Sequence, residues 1–135
     1  LSVSESKPLT AEDIKRMKET MAANRAKDQT VAYDIAFSNF TYCAVDTFNK
    51  NLTSAVKLNS NQFKFVMTTR TLEVYITEKH LRTAELDTEW LYRCSNFFIK
   101  TYPDFDIKHK MNEAGNEMSY IINITPEKPK LEQDS

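Results

Sequence analysis

Asp104-Phe105-Asp106-Ile107 sets two carboxylates two positions apart, and on a strand that spacing puts both on one face. Converging carboxylate oxygens are what a hard cation such as Mg²⁺ takes, and nucleotidyl-transfer sites hold their metal this way. Such sites also need a Gly-Ser turn to seat a triphosphate, and none precedes this segment. Asp104 and Asp106 alternate with Phe105 and Ile107, which makes them the solvated face of a half-buried strand. Pro103-Asp104 with Asp106-x-Lys108 echoes the acid–lysine set of metal-dependent nucleases. Those enzymes draw the two parts from different strands, whereas here one residue separates them. No metal and no cofactor is expected.

His80 and His109 are the only histidines. Neither has a partner at H-x-x-x-H or H-E-x-x-H spacing, and no Cys/His cluster makes a zinc set. His80, among Glu78, Lys79 and Arg82, reads as part of a solvated turn. His109 shares a strand face with Ile107 and Met111 and reads as a partly buried ring. It is the candidate polar group of any ligand pocket between the second helix and the sheet. Cys43 and Cys94 lack C-x-x-C spacing and fall in apolar helical patterns, which predicts buried free thiols. No serine stands out as a nucleophile. With no catalytic residue to assign, the chain is expected to be non-enzymatic.

Two sets of residues suggest binding instead. Residues 57–82 hold Lys57, Lys64, Arg70, Lys79 and Arg82 against Glu73 and Glu78, and Lys108 and Lys110 share a strand face further on. Aromatics interleave with these cations, as at Phe63-Lys64-Phe65, and sheets that bind single strands combine stacking rings with such charges. Lys64, Arg70, Lys108 and Lys110 are therefore the residues of a nucleic-acid alternative. Met17 and Met21 lie on one stripe of an otherwise charged helix. They mark the element expected to dock another protein, or a second copy in a homodimer.

Composition narrows the field further. A single glycine, Gly115, excludes G-x-x-x-x-G-K-S/T, G-x-G-x-x-G and G-x-S-x-G together, and with them the common phosphate-binding loops and the nucleophile elbow. The formal charge is −1, so no global field steers the chain toward nucleic acid. There is no run of apolar residues long enough for a membrane span and no signal-peptide pattern, and the chain is expected to be cytoplasmic with no membrane partner. It begins with Leu1 rather than an initiator methionine, and an upstream piece is expected to have been removed. The N-x-T sequons at Asn39, Asn51 and Asn123 are at chance frequency for this composition. Abundant Asn, Thr and Lys with almost no Gly fits an AT-rich coding genome such as a phage or virus.

The elements that position these residues follow from periodicity. Residues 1–9 and 126–135 read as flexible tails around a single domain, 10–125. Thr10 begins a helix as N-cap, with Ile14, Met17 and Met21 on its stripe, ending near Lys27. A second helix, 31–57, carries Tyr33, Phe37, Phe40, Ala44, Phe48 and Leu52 on one face, with more apolar surface than one sheet face covers. Strands are expected at 63–67 and 72–76 about Thr69-Arg70, although Leu72, Tyr75 and Ile76 also fit a helix. A third helix spans 88–101 and stops at Pro103. A hairpin closes the domain, with Phe105 to Met111 and Met118 to Ile124 alternating around Gly115. The expected fold is α+β, in the order ααββαββ. Its four-stranded antiparallel sheet has one face covered by helices.

Overall fold

The computed structural model describes residues 7–124. Residues 1–6 and 126–135 of the two expected tails, with residue 125 of the expected domain, lie outside the described residues, while 7–9 are exposed and irregular. The order is α1 (Ala11–Lys57), β1 (Gln62–Thr68), α2 (Thr69–Tyr75), α3 (Ala84–Thr101), β2 (Asp106–Met111) and β3 (Glu117–Asn123). A single 3₁₀ turn at Lys79–Leu81 lies between α2 and α3.

Two expectations are corrected. The sheet has three antiparallel strands, ordered β1-β3-β2, and not four. Residues 72–76 are helical or helix-capping because Leu72 and Ile76, four apart, are both buried, whereas Val74 between them is 77% exposed. Thr68 starts that helix with a reciprocal capping box, its hydroxyl engaging the first turn while Thr71 reaches back to the Thr68 N–H. Second, the two N-terminal helices are one continuous helix of 47 residues, about 70 Å long. Asp28-Gln29-Thr30 contains neither Gly nor Pro to break it. The Thr30 hydroxyl donates to the Ala26 carbonyl, and the Gln29 amide donates to the Leu81 carbonyl from within the helix.

From Ala32 onward α1 packs against everything else. Ala36, Phe40, Ala44 and Phe48 are buried on one face. Phe40 meets Tyr75, Trp90, Phe97 and Phe98 edge to face. Phe48 stacks on Tyr102 at 4.1 Å, and Phe65 of β1 stacks on Tyr120 of β3 at 4.5 Å. The helix-facing side of the sheet is Phe63, Phe65 and Met67; Met118, Tyr120 and Ile122; and Ile107, His109 and Met111. Burying rings of this size supplies most of the driving force for closure.

Two tight turns show how a chain with one glycine bends. Asn59, at φ 57°, takes the left-handed position after α1, a conformation asparagine tolerates better than other side chains. Gly115, at φ 74°, turns the β2–β3 hairpin, and a Cβ there would lie 2.8 Å from the Thr88 hydroxyl oxygen. That hydroxyl donates to the Gly115 carbonyl at 2.6 Å and ties the hairpin to α3.

Candidate docking surface

From Ala11 to Asp28 no side chain of α1 is buried. The arm is helical for local reasons. Thr10 and Asp13 form a reciprocal capping box at 3.0 and 3.1 Å, and Arg16 bonds Asp13 at 2.7 Å. These bonds hold the Asp13 carboxyl below its ordinary pKa, the Thr10 backbone N–H first among the causes. Isolated helices of such length are only marginally stable in water. Ile14, Met17 and Met21 stand 38%, 49% and 69% exposed.

The stripe does not stop where the domain begins. Val31, Ile35 and Tyr42 continue it, all more than half exposed. The positions 14, 17, 21, 24, 28, 31, 35, 38 and 42 alternate steps of three and four, the spacing of a helix–helix seam, with Asn24, Asp28 and Ser38 as its polar members. At 100° per residue the 31–42 part of this seam lies about 160° around the helix from the buried Tyr33, Ala36 and Phe40, and Ile14, Met17 and Met21 lie about 100° from them. The excess apolar surface expected for 31–57 thus remains uncovered, because the preceding segment runs straight on and cannot fold back over it. Two concavities flank the stripe. One, of about 400 Å³, lies between Val31 and Ile35 and the 77–81 connection, with Asp28 and Glu78 at its rim. The other, of about 580 Å³, is an open hollow bounded by Pro8, Leu9, Met17 and Met21.

No protein-family model, curated protein or solved structure matches the chain.

The nucleic-acid set is only partly brought together. Lys64, Lys108 and Lys110 share the uncovered face of the sheet, Lys64 and Lys108 both opposite Ile121. Arg70 stands apart in the first turn of α2. The rings are on the other side: Phe63, Phe65 and Tyr120 face the helices, so cations and aromatics occupy opposite faces. Asp106 lies on the cationic face, 4.0 Å from the Lys108 ammonium and bonded by the Asn123 amide. Among the described residues no group of three or more acids, cysteines and histidines is placed to hold a metal.

A groove between α1 and the sheet exists, about 290 Å³, lined by Phe40, Cys43, Thr47, Phe65, Thr71 and Tyr75 among others. His109 is not among its lining residues. It lies on β2, at the other edge of the sheet from β1, and is exposed, its ring 6.4 Å from that of Tyr120. Both cysteines are free, Cys94 buried as expected and Cys43 exposed on the groove's rim. Burial pushes the Cys94 thiol far above its ordinary pKa, which makes it a poor nucleophile.

The sequence reading overlooks a polar network in the interior. Arg82 makes paired bonds to Asp87 at 2.8 and 3.3 Å, donates to the Thr69 carbonyl and lies 3.4 Å from Glu73. Tyr33 donates to Asp87, and the Thr83 N–H donates to Tyr33. Loss of solvent, followed by the hydrogen bond to Asp87, pushes the Tyr33 phenol up to about 12. A signal was present: Asp87 sits on the stripe of Leu91, Cys94 and Phe98, where an acid must find a partner. The network joins α1, α2 and α3 and locks the core; Tyr33 also lines a small concavity, about 180 Å³, with Asp34, Glu89 and Arg93.

Proposed function

We propose that this chain is a non-enzymatic interaction or regulatory protein that docks another protein through the exposed stripe of α1. One observation carries the reading. A helix reaches beyond its domain with Ile14, Met17 and Met21 bare, and the same stripe continues, bare, along the domain as Val31, Ile35 and Tyr42. Large apolar side chains aligned over this length mark a protein contact more than a ligand site. A cytoplasmic setting belongs to the same reading, supported by two unpaired cysteines, one of them exposed. So does a phage or viral origin, which rests on composition alone.

The test compares wild type with a Met17→Asp, Met21→Asp double variant. Self-association, or capture of a specific partner, is expected with wild type and lost in the variant, while both give the same circular dichroism. Association that survives both substitutions would remove the arm from the docking surface.

Lys64, Lys108 and Lys110 on one open sheet face keep a nucleic-acid alternative in view. With no ring on that face, it offers charge without stacking. Membrane attachment forms no part of the proposal; among the described residues no helix is long and apolar enough to cross a membrane.

A further inference from the structure

We infer that the occupant of the α1 stripe is the N-terminal arm of a second copy of this chain, laid antiparallel. This rests on the docking reading above and specifies the partner.

Charge selects the orientation. Lys18, Arg25 and Lys27 flank the seam in its N-terminal half, but Arg25 is held by the His80 carbonyl, and Asp34 and Asp46 in the C-terminal half are paired with Arg93 and Lys50, so the deciding charge is Asp28 within the seam. The groove beside Val31 and Ile35 carries Asp28 and Glu78 at its rim. A parallel pair in register would set Asp28 against Asp28 of the other copy. An antiparallel pair sets Asp28 instead against a neutral seam position of the other copy.

The polar seam positions select the register. Centring the pair near Ala26 sets Met21 of one copy against Val31 of the other and Met17 against Ile35. Asn24 then faces Asp28, so its amide donates to a carboxylate that would otherwise be buried without a partner. The same register brings Tyr42, 89% exposed, opposite Thr10, at the hollow bounded by Leu9, Met17 and Met21. Both concavities are then filled by the side chains that are bare in the single chain. The 77–81 connection borders this face at Val31 and Ile35 and forms one wall of the groove, while the rest of the domain packs on the opposite side of α1.

The area suffices. Burying one side chain of this kind removes roughly 60–120 Å² of apolar surface from water. Six partly exposed side chains per copy, with the stems of flanking Lys18, Arg25 and Lys27, bring the pair to about 1,000 Å², the lower bound for a specific interface. Pairing also covers the arm, which its own domain holds through the exposed Arg25 bond to the His80 carbonyl.

The experiment combines light scattering with disulfide trapping, on the full chain in a Cys43→Ser background. Wild type should show twice the 15.7 kDa chain mass at tens of micromolar, and Met17→Asp with Met21→Asp should halve it. Met21→Cys and Val31→Cys, on separate chains carrying tags of different mass, should form a mixed disulfide when combined. Neither should cross-link alone. A Met21→Cys homodisulfide means a parallel pair and overturns the inference. A chain-length mass at every concentration overturns it too, and the docking reading then stands if the double variant still loses a foreign partner. A dimer indifferent to Met17→Asp and Met21→Asp overturns both.

Discussion

The Tyr33 hydroxyl donates to the Asp87 carboxylate at 2.7 Å, joining α1 to α3 across 54 positions of sequence. Asp87 also accepts both bonds from Arg82, so one carboxylate serves an aromatic hydroxyl and a guanidinium while 8% exposed. The Arg82 guanidinium in turn holds the Thr69 carbonyl at the start of α2. Three helices thus meet at one acid. Because each member depends on the others, taking one away costs more than the bonds it makes.

Asp87→Ala leaves the Arg82 charge largely buried with only the more exposed Glu73 beside it. The expected loss is about 3 kcal/mol of unfolding free energy, the scale for breaking a buried pair. Urea unfolding measures it, and a loss under about 1 kcal/mol would show that Glu73 and water replace Asp87.

The same cluster responds to alkali. Tyr33 ionises near its ordinary 10.0 when unfolded and at about 12 when folded, so the folded state holds the proton more tightly. Its contribution is complete below pH 10 and is lost as pH rises through 12. Tyr75, Tyr102 and Tyr120 are raised in the same direction, burial being the leading cause for each. Unfolding free energy should therefore fall steeply above pH 10. Tyr33→Phe should make that slope shallower by up to about 1.4 kcal/mol per pH unit. An unchanged slope means Tyr33 does not titrate with folding.

Gly115→Ala meets both a left-handed backbone and the Thr88 hydroxyl. A cost of roughly 1–3 kcal/mol is expected for a side chain held in that conformation against a close contact. In a Thr88→Ala background the contact disappears and the backbone penalty remains, so the second cost should be smaller. Equal costs in the two backgrounds would leave backbone conformation as the whole effect.

Met17→Asp with Met21→Asp should leave the domain folded, since neither side chain enters the core. In the dissociated chain at low concentration, thermal melts should show a loss of no more than about 1 kcal/mol, on the scale of helix propensity at two sites. A collapse of the melting transition would place the arm within the cooperative core.

On the open sheet face, any binding of single-stranded DNA should be by charge alone. Retention on a column should fall with salt, with a log–log slope no steeper than about −3 for four cations, and should not depend on base identity. Replacing Lys64, Arg70, Lys108 and Lys110 together by Gln should abolish it. Retention that survives the four substitutions clears this face.

Where local chemistry and period agreed, the fold was legible in the sequence. Alternation through 105–111 and 118–124 around Gly115 predicted the hairpin that forms, and Thr10 with Asp13 predicted the start of α1. The split at 28–30 failed for an instructive reason. The stripe of Ile14, Met17 and Met21 is out of phase with that of Tyr33, Phe40 and Phe48, and two phases look like two helices. One helix carries both because they serve different surfaces. At 72–76 a short apolar run fitted two periods, and only the exposure of Val74 separates them. Burial could not be read from pattern alone at Cys43 or His109, since each depends on which neighbours close over it. Asp87 was missed because α3 begins at Ala84, earlier than the apolar pattern of 88–101 indicated. That Met17 and Met21 share a stripe was readable; that nothing in their own domain covers it was not.

The strand order β1-β3-β2 bears on synthesis. The last strand made is the central one, so Thr68 waits for Glu117 before β1 has any neighbour. At roughly 5–20 residues per second, that interval lasts about 2–10 s on the ribosome. Throughout it Phe63 and Phe65 have no sheet to join, while α1 is already complete. The nascent chain therefore presents its apolar helix before it has a core, and a neighbouring nascent chain on the same message could reach that helix first.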